Sequence, residues 1–370
     1  MDKSNHPNII LSGGGTGGSV TPLLAVAAEL FKEDQSLNFI FIGSRNGPEK
    51  ELVSAFSQRV PMDFQTIPAG KFRRYFSFSN FSDLFKIIFA FFASLKIIIK
   101  NQPDLIMTAG SFISVPLVWA ASFLKVPALV HQQDIRPGLA NKLMAPFARA
   151  ITISFEKSFA DYGSRAIWTG NPTAEPEGDN LSRSEILKKY NLQENRPVVM
   201  VVGGGTGSLA INELVIKSLP ELVNFCQIIH LTGKGKIIQN DIHNQNYHAF
   251  EILPHEAIML LMSAADLVIS RCGLGALTAL SYLRKPAILI PMPDSHQEDN
   301  AAVFADSEAS LVVSQKNLTA PDLLKMIRDL LNDKERLEKY SNNIGRIMKS
   351  RAAENVAALV WEIVGPKEKI

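Results

Sequence analysis

The sequence contains the same short unit twice, once near its start and once just past its middle. In each case an apolar, strand-like run ends in Gly-Gly-Gly-Thr-Gly, at Gly13 and again at Gly203, and a helix-like segment follows. A strand, a tight glycine turn and a helix form the entry to a doubly wound α/β domain. Because a chain of 370 residues is too long for one ordinary core, the repeat predicts two such domains.

Short apolar runs alternate with helical patterns through both halves of the chain. The predicted strands are Asn8–Leu11, Asn38–Ile42, Leu105–Met107, Ala128–His131, Ala150–Ser154, Val198–Val202, Gln227–Leu231, Asp266–Ile269 and Ala287–Pro291. The predicted helices between them include Leu23–Lys32, Val115–Leu124, Leu139–Arg149, Leu274–Leu283 and Asp322–Leu331. Strands that are apolar on both faces are typical of parallel sheets covered by helices on both sides. The pattern therefore predicts the α/β class with doubly wound parallel sheets.

A segment rich in proline, glycine and acidic residues, Gly170–Asn180, separates the two sheet patterns. Segments of this composition commonly join domains. We therefore expect an N-terminal domain over residues 1–169 and a second domain over residues 170–352. The remaining residues, 353–370, contain a helical pattern at Ala353–Ile363 with no strand after it. The sequence leaves open which domain this helix packs against.

Composition excludes several classes of protein. Apolar residues make up 46% and charged residues 20% of the chain, which is typical of a globular protein. The net charge of only +2 argues against a nucleic-acid binder. Cys226 and Cys272 provide neither a disulfide framework nor a zinc cluster, and they fit a reducing cytosol. We expect no secretory signal and, since no uncharged apolar run reaches about 18 residues, no membrane-spanning segment.

The two glycine loops match known ligand-binding patterns to different degrees. Gly13, Gly15 and Gly18 reproduce the dinucleotide fingerprint, in which backbone N–H groups bind phosphate at a helix N-terminus. Arg45 follows the second predicted strand and suits a 2′-phosphate, so an NADP-dependent oxidoreductase is one alternative. In the second loop Ser208 replaces the last glycine of the fingerprint, which argues against an NADP-dependent oxidoreductase. Close-packed turns without a ligand are a second alternative, and loops that bind a diphosphate-bearing donor are the third.

Glycine-containing and polar segments follow two predicted strands of the second half. Ser270–Leu280 begins a helix whose N-terminus favours phosphate, although a close-packed turn is an alternative. His296 and Gln297 follow the next strand, where ligands of open α/β sheets bind. Amide and imidazole groups suit sugar hydroxyls, which need neutral hydrogen bonds. Together these segments predict a site for a sugar phosphate.

Six motifs along the chain resemble those of the MurG family, the UDP-N-acetylglucosamine:undecaprenyl-diphospho-muramoylpentapeptide N-acetylglucosaminyltransferases. They are Gly-Gly-Thr-Gly-Gly from Gly14, His-Gln-Gln-Asp-Ile-Arg-Pro-Gly from His131, Thr-Gly-Asn-Pro from Thr169, Gly-Gly-Gly-Thr-Gly from Gly203, Ser-Arg-Cys-Gly from Ser270 and His-Gln-Glu-Asp-Asn-Ala from His296. The resemblance extends from about residue 8 to about residue 355. It implies the GT-B fold, in which two Rossmann-like domains face a cleft. The N-terminal domain would bind the acceptor and associate with the membrane, and the C-terminal domain would bind the donor.

The resemblance also implies an activity. A hexosyltransferase of this family would move N-acetylglucosamine from UDP-N-acetylglucosamine to undecaprenyl-diphospho-N-acetylmuramoyl-pentapeptide (lipid I), with inversion at the anomeric carbon. The product, lipid II, feeds peptidoglycan synthesis and hence cell shape and division. No metal and no other cofactor is expected. The enzyme would be a peripheral protein at the cytoplasmic face of the cell membrane.

The resemblance assigns site residues to both domains. Asp134 occupies a position that is often Asn in the family and that contacts the transferred sugar. Because Ser19 stands where the family has a histidine, Asp134 is the candidate proton acceptor, with His131 of the same motif as a second candidate. The other predicted substrate-binding residues are Thr16, Gly17 and Gly18 in the first loop, Gly205 and Thr206 in the second loop, His255 near the uracil-binding segment, and Leu274, Gly275, Ala276, Leu277, His296 and Gln297 around the donor sugar and phosphate.

Three positions depart from the family's pattern. Ser19 occupies the position of a histidine, Ala174 that of an arginine, and Ala279 that of the glutamate that binds the donor ribose. Losing a carboxylate–ribose bond would weaken donor affinity by roughly ten- to a hundredfold. A weakened or inactive relative that binds a nucleotide or a lipid is therefore an alternative function.

A basic and aromatic segment predicts contact with a membrane. Lys71–Lys100 contains six basic residues, one acidic residue and eight of the 21 phenylalanines. Basic and aromatic side chains together favour an anionic phospholipid surface. Lys71, Phe72, Arg73 and Arg74 are the predicted membrane contacts. The alternative is that Leu84–Ile99 forms a helix packed on the core, and both can hold if the contact loop precedes a buried helix.

Overall fold

The computed structural model describes residues 7–45, 47–68, 79–173, 181–237 and 244–365, with side chains of 79–86 outside this description. The chain divides into two compact units. The first unit comprises residues 1–174 together with 349–370, and the second comprises residues 175–348.

The first unit is built on a seven-stranded sheet in the order β3-β2-β1-β4-β5-β6-β7. All of its strand pairs are parallel. The strands are β1 Asn8–Ser12, β2 Asn38–Gly43, β3 Met62–Thr66, β4 Leu105–Thr108, β5 Ala128–Gln132, β6 Ala150–Ile153 and β7 Ala166–Trp168. Its helices are α1 Thr21–Glu33, α2 Glu49–Phe56, α3 Ser79–Asn101, α4 Ser114–Phe123, α5 Leu139–Met144, α6 Phe159–Tyr162 and, from the end of the chain, α14 Ala352–Val364.

The final helix α14 belongs to the first unit. Val356 and Val360 are fully buried and share a hydrophobic cluster with Leu11 of β1 and with Leu23 and Leu30 of α1. The chain therefore returns to the first unit after completing the second, which answers the packing question that the sequence left open.

The second unit contains a six-stranded parallel sheet in the order β10-β9-β8-β11-β12-β13. Its strands are β8 Val198–Val202, β9 Gln227–Leu231, β10 Tyr247–Phe250, β11 Leu267–Ser270, β12 Ala287–Leu289 and β13 Leu311–Val312. Its helices are α7 Arg183–Lys189, α8 Leu209–Phe225, α9 His255–Ala264, α10 Leu274–Tyr282, α11 His296–Asp306, α12 Ala320–Asn332 and α13 Lys334–Ile344.

The predicted α/β class with two parallel, doubly wound sheets is confirmed. One predicted helix, Leu139–Arg149, is wrong in its extent: α5 ends at Met144 and a short 3₁₀ turn follows. Pro146 explains the end of the helix, because proline lacks the N–H that a continuing α-helix needs. The strands β3, β7, β10 and β13 were not predicted. They lie at the edges of the two sheets and are only partly buried, so their apolar pattern is weak.

The strand order reverses at equivalent points in the two sheets. In the first sheet β1 lies between β2 and β4, and in the second sheet β8 lies between β9 and β11. Crevices at the carboxyl ends of strands beside such a reversal are the usual ligand sites of open α/β sheets. Both glycine loops follow these central strands directly, so each unit presents its glycine loop at this edge.

Candidate active site

The first glycine loop is held in shape by the hydroxyl of Ser19. Its Oγ accepts a hydrogen bond from the Gly14 N–H (3.0 Å) and lies 3.2 Å from the Gly14 carbonyl oxygen, to which it donates. Gly15 has a φ of +82°, a conformation that favours glycine. Thr16 and Gly18 are exposed and Gly17 is half-buried. The loop therefore presents the predicted acceptor-binding residues, while the Ser19 hydroxyl is engaged within the loop.

A buried carboxylate lies behind this loop. Glu49, in the first turn of α2, is fully buried, and its side chain accepts hydrogen bonds from the N–H of Gly15 (3.2 Å) and the N–H of Ser44 (2.6 Å). The Ser44 hydroxyl donates to the same carboxylate. A Cβ atom added to Gly14 would lie 2.6 Å from Glu49 Oε1, so the loop and the carboxylate are in tight contact.

The charge on Glu49 is stabilised by these hydrogen bonds. Burial by itself would raise the pKa of Glu49, but the bonds from the Ser44 side chain and from the backbone outweigh it, so the pKa lies below its ordinary value of 4.5. Glu49 is therefore an anion at neutral pH. Because it already accepts from the Gly15 N–H, that donor is not offered to a phosphate as the dinucleotide fingerprint would require.

His131 is a buried member of a neutral hydrogen-bond network. Its Nδ1 lies 2.9 Å from Thr152 Oγ1, and its Nε2 lies 3.2 Å from Asn171 Oδ1 and 3.3 Å from Ser154 Oγ. Burial lowers the pKa of His131 to about 4, so the ring is uncharged at neutral pH. With no exposed surface and both ring nitrogens engaged, His131 is not placed to take a proton from an acceptor. The prediction of His131 as a second candidate base is wrong for this geometry.

The next residues of the same motif connect it to the first glycine loop. Gln132 is buried, and its Nε2 donates to the carbonyl oxygens of Asp134 (2.6 Å) and Arg136 (3.1 Å). The Nε2 of Gln133 donates to the Gly18 carbonyl oxygen (2.7 Å). Asp134 is half-buried and follows Gln133 directly. The structure thus brings the predicted catalytic residue and the predicted acceptor loop to one place on the first unit.

The second glycine loop begins helix α8 and packs against the loop after β9. Gly207 has a φ of +72°, and a Cβ atom there would lie 2.1 Å from the Thr232 carbonyl oxygen. Ser208 is the N-cap of α8, with its Oγ accepting from the Ile211 N–H (3.4 Å). Gly205 and Thr206 are exposed at the tip. The predicted phosphate contacts are therefore accessible.

Arg271 joins several loops at the carboxyl edge of the second sheet. Its side chain is 8% exposed, and its guanidinium donates to the carbonyl oxygens of Ile290 (3.1 Å) and Pro291 (3.0 Å). It also donates to the Ser208 hydroxyl (2.7 Å) and to the Gln315 side chain. One buried cation therefore fixes the start of α8 relative to the segment that follows β12.

Gln297 is bound to the backbone through its oxygen. Its Oε1 accepts from the N–H groups of Cys272 (3.2 Å) and Met292 (3.1 Å). Within the described part of the chain its Nε2 makes no hydrogen bond, and it lies 4.0 Å from where a Cβ on Gly273 would be. The amide N–H groups are therefore available to a ligand at the N-terminus of α10.

The other predicted donor contacts differ in accessibility. Gly275 is exposed and Ala276 half-buried, whereas Leu274 is 8% exposed and Leu277 is fully buried. The Leu277 side chain therefore lies in the core, and the role of Leu277 in substrate binding stays a prediction. The remaining two predicted residues, His255 at the start of α9 and His296 at the start of α11, are both exposed.

Comparison with known families decides what kind of protein carries these sites. Residues 9–153 match the glycosyltransferase family 28 N-terminal domain, and residues 198–357 match the glycosyltransferase family 28 C-terminal domain. The chain belongs to glycosyltransferase family 28. The first matched segment contains strands β1 to β6 and the second contains β8 to β13, and each begins within the central strand that leads into a glycine loop.

Curated relatives support the predicted resemblance within family 28. A protein of Clostridium botulinum (strain Langeland) is 35% identical over 359 residues, which is 95% of this chain and 98% of the relative. A protein of Clostridium perfringens (strain SM101) is 36% identical, again over 95% of this chain and 97% of the relative. Both are named UDP-N-acetylglucosamine--N-acetylmuramyl-(pentapeptide) pyrophosphoryl-undecaprenol N-acetylglucosamine transferase. The resemblance to the MurG family is confirmed.

A solved structure shows the same fold. The crystal structure of Acinetobacter baumannii MurG superposes with a TM-score of 0.74 over 96% of this chain and 99% of that one, at 24% sequence identity. This confirms the predicted GT-B fold. The NADP-dependent oxidoreductase is overturned by membership of family 28, and Glu49 supplies a physical reason, because it occupies a loop N–H that the cofactor's diphosphate would need.

Some predicted residues lie outside the described part of the chain. The membrane contacts Lys71, Phe72, Arg73 and Arg74 are among them, as is Ala174. Ala279, where the family has a glutamate, is 7% exposed in the second turn of α10.

Sequence reasoning missed three residues that shape the family 28 sites. Arg271 lies inside the Ser-Arg-Cys-Gly motif, so an arginine directly after a buried strand was a usable signal. Gln133 also lies inside a recognised motif. Glu49 follows Gly47 and Pro48 at the start of a helix, where an acidic residue is usually a solvated one. Nothing local in the sequence indicates that Glu49 is buried against a loop more than 30 residues away.

Proposed function

We propose that this protein transfers N-acetylglucosamine from UDP-N-acetylglucosamine to lipid I, giving lipid II. The observation that carries the proposal is full-length similarity, at 35% identity over 95% of the chain, to proteins named for that transfer. In an inverting transfer the acceptor hydroxyl oxygen bonds to the anomeric carbon, the bond from that carbon to the diphosphate breaks, and UDP leaves. The hydroxyl proton passes to a base.

Asp134 is the base in this proposal. Its carboxylate is half-buried, and its neighbour Gln133 is hydrogen-bonded to Gly18 of the loop proposed to bind the acceptor. Ser19, at the position where the family has histidine, has a hydroxyl engaged with Gly14. Asp134 therefore combines the basicity of a carboxylate with a location beside the acceptor loop.

The second unit binds the donor in this proposal, and it does so without a divalent metal. The N-termini of α8 and α10 lie at the carboxyl edge of the sheet, where their dipoles favour the diphosphate. The Nε2 N–H groups of Gln297 would donate to a sugar hydroxyl or to the acetamido oxygen. The helix dipoles would offset the negative charge of the diphosphate, and Gln297 would contact the sugar, so donor binding would need no metal.

Calorimetric titration tests the donor site. UDP-N-acetylglucosamine should bind in the presence of a chelator, and Gln297→Ala should weaken it by about ten- to a hundredfold, since a ligand hydrogen bond is lost. The variant should also discriminate less between UDP-N-acetylglucosamine and UDP-glucose. A strict requirement for magnesium or manganese, or unchanged affinity and discrimination in the variant, would contradict the assignment.

We also propose that the first unit docks on the cytoplasmic leaflet through helix α3. Ile88, Phe89, Phe92 and Ile99 are between 46% and 66% exposed on one face of this helix. Lys96 and Lys100 are exposed beside them, and the opposite face packs Ala90 and Ile98 into the core. None of the described helices is long and apolar enough to cross a bilayer. A helix with exposed apolar and basic side chains suits an anionic membrane surface.

Co-sedimentation with anionic phospholipid vesicles tests the docking surface. Replacing both Phe89 and Phe92 by Asp should lower partitioning by about a hundredfold or more, because burial of each ring stabilises binding by about 1.5–3 kcal/mol. Phe159→Asp, at an exposed ring on α6 of the same unit, is the matched control and should bind normally. Equal binding by the Phe89 and Phe92 variant would place the membrane contact elsewhere.

Changing Lys71, Arg73 and Arg74 together to Glu should also lower partitioning onto the vesicles, by about a hundredfold.

A further inference from the structure

Lys236 places an ammonium group directly beside the second glycine loop. It follows β9, and its Nζ donates to the Gly207 carbonyl oxygen at 3.0 Å. Gly207 directly follows Gly205 and Thr206, which lie at the exposed tip of the loop. No prediction from the sequence involved this lysine.

A buried network holds the backbone of Lys236 in place. Asn212 Nδ2 donates to the carbonyl oxygens of Lys236 (3.1 Å) and Thr232 (3.0 Å), and Asn212 Oδ1 lies 3.0 Å from His230 Nε2. Because that oxygen accepts, His230 Nε2 carries the proton, and His230 Nδ1 accepts from the Tyr247 hydroxyl (3.1 Å). Burial lowers the pKa of His230 to about 4, so the network is neutral at pH 7. The lysine is therefore positioned by groups that carry no charge of their own.

The two loops also pack too closely to separate freely. A Cβ atom on Gly207 would lie 2.7 Å from the Cα of Gly233, and a Cβ atom on Gly233 would lie 2.5 Å from the Thr206 carbonyl oxygen. Both residues have positive φ, +72° for Gly207 and +90° for Gly233. Only glycine fits at these two positions, so the backbone holds the loop that carries Lys236 against the glycine loop.

The ammonium of Lys236 has donors to spare. It carries three N–H bonds, one of which is used on Gly207, and within the described residues it makes no other hydrogen bond or ion pair. The Glu251 carboxylate accepts from the Gly235 N–H (2.9 Å) and does not pair with Lys236 there. A half-buried ammonium that pairs with no carboxylate among the described residues, next to a glycine loop at a helix N-terminus, is suited to an anion.

We propose that Lys236 is a binding residue for the diphosphate of the nucleotide donor. The proposal rests on the proposed function, since it takes the donor to be a uridine diphosphate sugar. Its remaining N–H donors would form charge-assisted hydrogen bonds to the diphosphate oxygens and stabilise UDP as it leaves. Lys236 therefore contributes to affinity for the diphosphate and not to recognition of the uridine.

Competition by UDP and by uridine, measured on the full chain, tests this role. Lys236→Met keeps the alkyl stem and removes the charge, so the inhibition constant of UDP should rise about tenfold or more, while that of uridine should not change. Lys234→Met, at an exposed lysine of the same loop, is the matched control and should leave both constants unchanged. Lys236→Arg should recover most of the affinity for UDP.

Three outcomes would overturn the proposal. An unchanged inhibition constant for UDP in Lys236→Met would show that the ammonium does not contact the diphosphate. An equal loss for UDP and for uridine would show a purely structural role for the lysine. If the unaltered protein bound neither UDP nor its N-acetylglucosamine conjugate, the donor assignment itself would fail, and this proposal with it.

Discussion

Replacing Asp134 by alanine is expected to lower turnover by about 10²–10⁴-fold, the usual effect of removing a general base. The half-buried carboxylate follows Gln133, which is bonded to the acceptor loop at Gly18. The other candidate, His131, is fully buried with both ring nitrogens engaged. Initial rates at saturating donor and acceptor measure the effect on turnover separately from binding.

Two further variants make the test of Asp134 specific. Asp134→Asn keeps the shape and removes the basicity, so it should lose nearly as much turnover as Asp134→Ala. Asp161→Ala, at an exposed acidic residue of the same unit, should behave as the unaltered enzyme. Full turnover in Asp134→Asn would show that another group accepts the proton. An increase in rate with Ser19→His would indicate that the residue after the glycine loop can still serve as a base.

Replacing Glu49 by glutamine is expected to destabilise the first unit by about 2–3 kcal/mol at pH 7, because hydrogen bonds to a buried charged group are lost. Glutamine has one acceptor oxygen in place of two, so its NH₂ group would face the N–H of Gly15 or of Ser44. All three tryptophans, Trp119, Trp168 and Trp361, belong to the first unit, so tryptophan fluorescence during urea unfolding reports on this unit alone.

The effect of Glu49 should depend on pH in a defined direction. Its pKa in the folded protein lies below the ordinary value of 4.5, so its stabilising effect is complete above that pH and disappears as the pH falls through the folded-state pKa. The stability difference between the unaltered protein and Glu49→Gln should therefore shrink below about pH 4.5. Glu51→Gln, at an exposed glutamate of the same helix, is the control and should show neither effect. A difference that stays constant down to pH 3.5 would contradict the assignment of a charged Glu49.

The fold was predictable because its central strands are unambiguous. β1 and β8 are apolar runs that end in glycine turns, so their place at the centre of two parallel sheets follows from the pattern. The edge strand β3 is only partly buried and contains Asp63 and Gln65, which weakens the apolar signal on which strand prediction depends. The extent of α5 depended on one proline whose effect the apolar pattern concealed.

The site was predictable only where its residues lie in motifs. Gln297 and the exposed residues of both glycine loops were found because the residue types and their positions after strands indicate ligand binding. Lys236 and Glu49 were not, because their roles arise from tertiary contacts: Lys236 reaches Gly207 from the next strand's loop, and Glu49 reaches Gly15 from α2. Burial also reversed one interpretation, since His131 has no exposed surface from which to take a proton.

Transfer of N-acetylglucosamine to lipid I can be measured by incubating the purified protein with lipid I and UDP-N-acetylglucosamine labelled in the sugar, in the presence of a chelator. Label should appear in a lipid product with the mobility of lipid II, and one UDP should be released for each sugar transferred. Gln297→Ala and Asp134→Ala should reduce the rate. If a folded protein that still binds UDP-N-acetylglucosamine gave no labelled lipid, the assignment as a transferase would be contradicted. The chain would then be a nucleotide-binding relative without transferase activity.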